Sequence, residues 1–255
     1  DVSGGGAGNG GTIQLVSAGA SSAITQTCTT TTTALLATGA VGGSLKIKSA
    51  DTVTLQNPTN DVQTLAANIT TANKDFSYKD VNSLDVSTVA AAGSLTAPSG
   101  TGASQAAMDG IVTDGNVTVT ALGSGDLTVL KDIVKSATTA ATTLTLQANR
   151  NIIFNSGADA KLGSGASGTY TMVLNSDLDQ SAASGGAIQL NSGTVINSNG
   201  GNITMGGWAS PSTAPAIGQG SLVEGILING AQLQSGTGTI ILNGTGLASG
   251  TNAHG

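Results

Sequence analysis

The only histidine of this 255-residue chain, His254, is its next-to-last residue, and the only cysteine is Cys28. Nucleophilic catalysis needs a base held beside the nucleophile, and a histidine in a Gly-rich tail offers none. A single cysteine excludes an intrachain disulfide and a cysteine-based zinc cluster. Carboxylates are the remaining candidates. Asp177 and Asp179, in NSDLDQS, form the closest pair, and Glu224 is the only glutamate. Polysaccharide hydrolysis uses two clustered carboxylates, so this pair is where a glycan-cleaving or calcium site would stand. Exposed turn residues give the same pattern without any chemistry. The sequence therefore predicts no catalysis, no cofactor and no metal, with a polysaccharide-active enzyme as the least favoured alternative.

Other motifs invite binding chemistry. GGGAGNGGT (4–12) and GSGDLTVL (123–130) are partial matches to calcium-binding nonapeptide turns, which need tandem Gly-Gly-x-Gly-x-Asp. The first lacks the Asp and the second stands alone. CTTTTT (28–33) has the composition of an ice-binding threonine array, but Thr-x-Thr does not recur on one face. Sequons at Asn68, Asn116, Asn202 and Asn243 are candidate glycosylation sites. NKDFSYKD (73–80) and GGWASPSTAPAIGQG (206–220) depart from the surrounding pattern. Both read as projecting loops or short extra elements; the favoured account is that each ring covers an apolar flank of the β-helix, and Phe76, Tyr78 and Trp208 are otherwise the candidate interaction residues, because an exposed ring on a rigid scaffold makes a good anchor.

The elements that must hold these residues are strands. Charged residues are 9% and aromatics 2%, while 38% of residues are hydrophobic. That composition is too apolar for disorder and suits a narrow core of Val, Ile, Leu, Ala and Thr with little room for rings. No run approaches the ~20 apolar residues of a membrane span. A net charge of −6, with the lysines and Arg150 thinly spread, excludes a nucleic-acid footprint. The first residue is Asp1 and no signal peptide precedes it, which suggests processing or a piece of something longer.

Period-two alternation recurs in SLKIK (44–48), NVTVT (116–120), DLTVL (126–130), TLTLQ (143–147), TYTMVL (169–174) and TIIL (239–242). The best helix candidate is short, SQAAMDG (104–110). The runs come in couplets, such as SLKIK-SAD-TVTLQ and TLTLQ-ANR-NIIF. Val117 to Leu144 spans 27 residues and Leu144 to Met172 spans 28, while other intervals shrink towards 15. No regular series of Asn-Gly or Asp-Gly hairpin loops follows. Ala-Asn-Arg (148–150) is therefore read as a corner between two faces of one rung, not as a hairpin. Asparagines after strands (155, 175, 191, 197, 243) are expected to stack from rung to rung. The predicted fold is all-β: one continuous single-stranded parallel β-helix over 1–255. Irregular rungs fill 1–110, with projecting loops near 71–83 and 97–110. More regular rungs fill 111–255, with a loop at 206–220. About 20–25 residues per rung gives about ten to twelve rungs, and rungs ~4.8 Å apart make a rod of roughly 50–60 Å. An antiparallel sandwich is the alternative.

GNVTVTALGSGDLTVLKDI and SGGAIQLNSGTVINSNGGNITMGG resemble the filamentous-haemagglutinin-like exoproteins, the large adhesins of bacterial two-partner secretion. The resemblance covers residues 84–255 well and 1–83 loosely. It implies a right-handed parallel β-helix shaft, export across the outer membrane to the bacterial cell surface, and a role in adhesion, aggregation or biofilm. The Asn-Pro-Asn-type motifs of that family's secretion domain are missing; Asn57-Pro58-Thr59 is the nearest and does not match. The chain thus corresponds to shaft. Implied partners are adjoining shaft segments or further copies, end to end, and host or surface glycans. Neither terminus carries an amphipathic cap, which a solenoid normally needs. A self-assembling fibre, sheath or S-layer-like subunit is the second reading.

Overall fold

The structure, a computed structural model, describes residues 10–19, 21–26, 34–38, 42–91, 96–97, 100–101, 106–136, 140–181 and 185–247. Every regular element among them is a β-strand, and among these residues no helix is long and apolar enough to cross a membrane.

Two long sheets dominate, and every pairing within them is parallel. One has eight strands: Ile24–Thr25, Val53–Leu55, Phe76–Asp80, Val117–Ala121, Thr142–Ala148, Tyr170–Ser176, Ile203–Gly207 and Ile240–Leu242, in that order. The other has 13 strands and forks. Its trunk is Thr12–Ser17, Ser44–Ser49 and Thr64–Ile69. From Thr64–Ile69 a first arm runs through Leu84–Val86, Leu127–Val129, Ile152–Phe154, Ile188–Leu190 and Ile226–Ile228. A second arm runs through Ile111–Thr113, Ile133–Lys135, Ala160–Leu162, Val195–Asn197 and Gln232–Gln234. From residue 111 onward the chain visits the second arm, the eight-stranded sheet and the first arm in turn, then repeats. This all-β arrangement of long parallel sheets is compatible with a β-solenoid.

The opening of the repeat at residues 142–154 illustrates the logic. Thr142–Ala148 belongs to the eight-stranded sheet and Ile152–Phe154 to the first arm, so Asn149–Asn151 is a corner and not a hairpin loop. Val117 aligns with Leu144, Leu144 with Met172, Met172 with Ile203, and Ile203 with Ile240. The 27- and 28-residue intervals are thus true register steps. The other steps are mostly longer, not shorter: 31 and 37 residues after Met172, and 41 from Phe76 to Val117. Insertions at the corners lengthen them. One of these insertions, after Ser87, holds antiparallel pairs: Thr88–Val89 with Met108–Asp109, and Thr96–Ala97 with Gly100–Thr101. Met108–Asp109 is therefore strand where a helix was expected; residues 104–105 of that expected helix lie outside the described residues. Eight strands at ~4.8 Å span roughly 34 Å, shorter than the expected rod.

Alternation places one set of side chains inward. In Thr142–Ala148 the residues Leu144, Leu146 and Ala148 are fully buried while Thr143, Thr145 and Gln147 face outward and are half-buried. Parallel strands buried against one another bury apolar area at ~25 cal/mol per Å². The interior also admits rings. Phe76, Tyr78, Phe154 and Tyr170 are all buried. Phe76 lies between Val53 and Val117, Tyr78 between Leu55 and Val119, and Phe154 between Val129 and Leu190. A large residue flanked mostly by smaller ones keeps the column filled at native density.

Candidate functional site

Three kinds of feature could carry function: the corners, the exposed loops and the two ends of the sheets.

At the corners, an Asp or Asn stands immediately before a strand and accepts a hydrogen bond from the backbone N–H at the equivalent corner of the next repeat. Ahead of the eight-stranded sheet, Asp75 Oδ1 accepts from Asn116 N–H at 2.8 Å, and Asn116 Oδ1 from Thr143 N–H at 2.9 Å. Asn202 Oδ1 does the same for Thr239 N–H at 2.9 Å. Ahead of the first arm, Asp126 Oδ1 accepts from the Asn151 backbone N–H at 3.3 Å and from its Nδ2–H at 2.9 Å, and Asn151 Oδ1 accepts from Ala187 N–H at 2.8 Å. Ahead of the second arm, Asp132 Oδ1 accepts from Asp159 N–H at 3.0 Å and Asp159 Oδ1 from Val195 N–H at 2.7 Å. Each ladder satisfies strand-start donors that corner geometry would leave open.

The expected stacking of asparagines after strands takes a different form. Asn191 Nδ2–H donates to the Phe154 carbonyl and Asn197 Nδ2–H to Gln234 Oε1. The sequence signal that reasoning missed is an Asx residue directly ahead of an alternating run. It also explains two sequons structurally, because Asx, inward aliphatic, outward Thr spells Asn-x-Thr. Asn116 Nδ2–H donates to Asp75 Oδ1, and Asn202 is exposed at its corner. Asn243 Nδ2–H donates to the Pro211 carbonyl at 3.3 Å, and Asn68 is half-buried on the outer side of Thr64–Ile69.

Charged groups are also drawn inside. Lys135 Nζ lies 3.2 Å from Asp114 Oδ1, with both side chains buried. Asp80 accepts from Tyr78 Oη–H at 2.7 Å and from the backbone N–H groups of Val62 and Asn82. Burial pushes its carboxyl up to about 7, against the pull of those donors. Lys161 Nζ bridges Asp159 Oδ2 and Asp132 Oδ2, and those hydrogen bonds raise its ammonium above the ordinary lysine range. Nearby, Asp109, Lys131, Asp132 and Ser156 line an open groove of about 470 Å³.

Phe76 and Tyr78 do not project. They sit in the strand Phe76–Asp80 with inward burial. The correction follows from periodicity: Phe76, Tyr78 and Asp80 alternate like any core strand, and the flanking lysines made the run look like a loop. Trp208 does lie on a surface turn. It is 44% exposed and holds φ 55°, a left-handed conformation that a bulky residue rarely adopts. Its N–H donates to the Ser176 carbonyl, which pins the turn. A Cβ on Gly206 would meet the Pro211 carbonyl oxygen at 2.1 Å, so the loop 208–215 closes tightly over the sheet.

Asp177 is buried at φ 50°, and burial, then the neighbouring Asp179, raises its carboxyl. Asp179 is exposed beside it. No group of three His, Cys, Asp or Glu among the described residues is arranged to hold a metal ion. His254, Cys28 and the 28–33 threonine run lie outside the described residues.

At the ends of the sheets the inward aliphatics surface. Ile228, Ile240 and Leu242 are exposed, and Ile226, Ile228, Leu242 and Gly244 line a shallow cavity of about 270 Å³. Ile13, Leu15 and Ile24 at the opposite end are only partly buried. No family model, curated protein or solved structure matches the chain.

Proposed function

We propose that the chain is shaft from an exported bacterial cell-surface adhesin of the filamentous-haemagglutinin-like kind. In this reading it winds as one right-handed parallel β-helix and serves in adhesion, aggregation or biofilm without catalysis. The observation that supports it best is the unbroken parallel register of the eight-stranded sheet, filled by stacked aliphatics and stitched at its corners by Asx side chains. Such a structure transmits position and force; its polar groups are spent on holding repeats together. The loop bearing Trp208 is the adhesive element, its ring offered to host or surface glycans on a rigid base. A self-assembling fibre is a second reading, favoured by the open ends of both sheets.

Two experiments test this. Display of the chain on a non-adherent bacterium should produce cell aggregation or retention on glycan-coated surfaces; no gain of either sinks the adhesive role. Release of reducing ends from acidic polysaccharides would replace the shaft by an enzyme. The winding has its own test. In a Cys28→Ser background, Thr118→Cys and Thr145→Cys are register partners on adjacent parallel strands, facing outward. Neighbouring parallel strands lie ~4.8 Å apart, a separation a disulfide can span, so mild oxidation should join them within one chain.

A further inference from the structure

We infer that the C-terminal end of the sheets binds the N-terminal end of a second copy of this chain, head to tail, by parallel strand addition. The inference rests on the second, self-assembling reading, and it needs a chain that keeps winding in one direction across the joint.

Among the described residues, Ile226–Ile228, Gln232–Gln234 and Ile240–Leu242 are each paired along one edge only. So are Thr12–Ser17 and Ile24–Thr25 at the other end. Free strand edges are templates for further strands, and proteins usually blunt them with charge or proline. Here neither is present on these five strands. Apart from Asp1 and Glu224, every charged residue of the chain lies between Lys46 and Asp179. Among the described residues, four of the five large exposed hydrophobics stand on end strands: Val16, Ile228, Ile240 and Leu242.

The joint has an internal precedent. Thr64–Ile69 is one straight strand that meets two short ones, Thr64–Leu65 pairing with Asp85–Val86 and Ala67–Asn68 with Ile111–Val112. Thr12–Ser17 is the same element two steps away, since Ile13 aligns with Leu45 and Leu65, and Leu15 with Ile47 and Ala67. The C-terminal end offers the matching pair of short strands, Ile226–Ile228 and Gln232–Gln234. A second copy's Thr12–Ser17 laid across them gives the fork in reverse, one long strand closing two arms instead of opening them, and its Ile24–Thr25 then continues the eight-stranded sheet beyond Ile240–Leu242. Chain direction agrees at all three places. In that register Ile13, Leu15 and Ile24 would cover Ile228, Leu233 and Ile240, so aliphatic meets aliphatic at these three places and no charge is buried.

Sedimentation velocity and electron microscopy of the full chain test this, alongside an Ile228→Lys/Leu242→Lys variant and a chain ending at Leu247. The wild type should form concentration-dependent rods of varying unit number, with little response to salt. The double variant should sediment as a single unit. Added in small proportion it should shorten wild-type rods, because its intact N-terminal edge joins a growing end and stops it. Wild type that stays single at every concentration overturns the proposal, as do rods the double variant leaves unchanged. Rods seen only with the chain ending at Leu247 would assign the edge to the chain's own tail and also overturn it. The Thr118/Thr145 disulfide separates the two failures: if it forms while the chain stays single, the winding stands and only the stacking falls.

Discussion

Asp80 is the residue whose chemistry is most constrained. Its carboxyl titrates near 7 in the folded chain and near the ordinary carboxylate value, ~3.9, in the unfolded chain. Between those values the folded state holds a proton that the unfolded state has released, so stability is greatest at the acidic end of that window and falls as pH rises through about 7. The Tyr78 hydroxyl donates to the ionised form and limits that fall. Tyr78→Phe should therefore cost more at pH 8 than at pH 5, by roughly 1.5–3 kcal/mol at the alkaline side, read from denaturant midpoints at both pH values. Equal loss at both would remove Asp80 as the cause. Asp114→Ala takes the carboxylate from buried Lys135 and should destabilise by about 3–5 kcal/mol. Trp208→Ala should leave the melting temperature unchanged and lower retention on glycan surfaces; a large drop in melting temperature would make that ring structural.

At the scale of the strand, the position of a side chain along the stack matters more than its type. Leu146 and Leu242 both point inward from the eight-stranded sheet, but Leu146 is fully buried and Leu242 is 44% exposed. Leu146→Ala should cost about 2–5 kcal/mol, and Leu242→Ala well under ~1 kcal/mol in the single unit. Chemical denaturation of both variants checks the contrast. The corner ladders make a second comparison. Asn116 both accepts from Thr143 N–H and donates to Asp75, so Asn116→Asp sets two carboxylates side by side and removes a donor. It should destabilise, and the loss should shrink at pH values where the carboxyls are protonated. The alternation that defines each strand was legible in the sequence, including the register steps at Val117, Leu144 and Met172. Strand Phe76–Asp80 was not, because charged neighbours outweighed its periodicity. The Asx ladders were not either, since the next corner's N–H is about 25–40 residues away in the chain.

For the molecule as a whole, the arrangement is sequential: each repeat touches chiefly the one before and the one after it. Stability in such a structure is a sum of nearest-neighbour terms, so the outermost strands, each paired along one edge among the described residues, should open first. Hydrogen exchange should show Ile226–Leu242 and Thr12–Thr25 exchanging well before Val117–Leu174, and assembly into rods should slow the ends selectively. Uniform protection along the single unit would contradict this picture.

Composition and period-two alternation by themselves determined an all-β chain with a largely aliphatic interior. They also marked the couplets and the corner between Thr142–Ala148 and Ile152–Phe154. Only the tertiary structure decided which strand lies beside which, because the corner insertions vary in length and alternation carries no information about partners. It decided that Phe76 and Tyr78 are core, since a ring fits wherever the neighbours above and below are small. It decided too that, among the described residues, the outermost strands pair along one edge only, a property of pairing across the stack that no local stretch of residues contains.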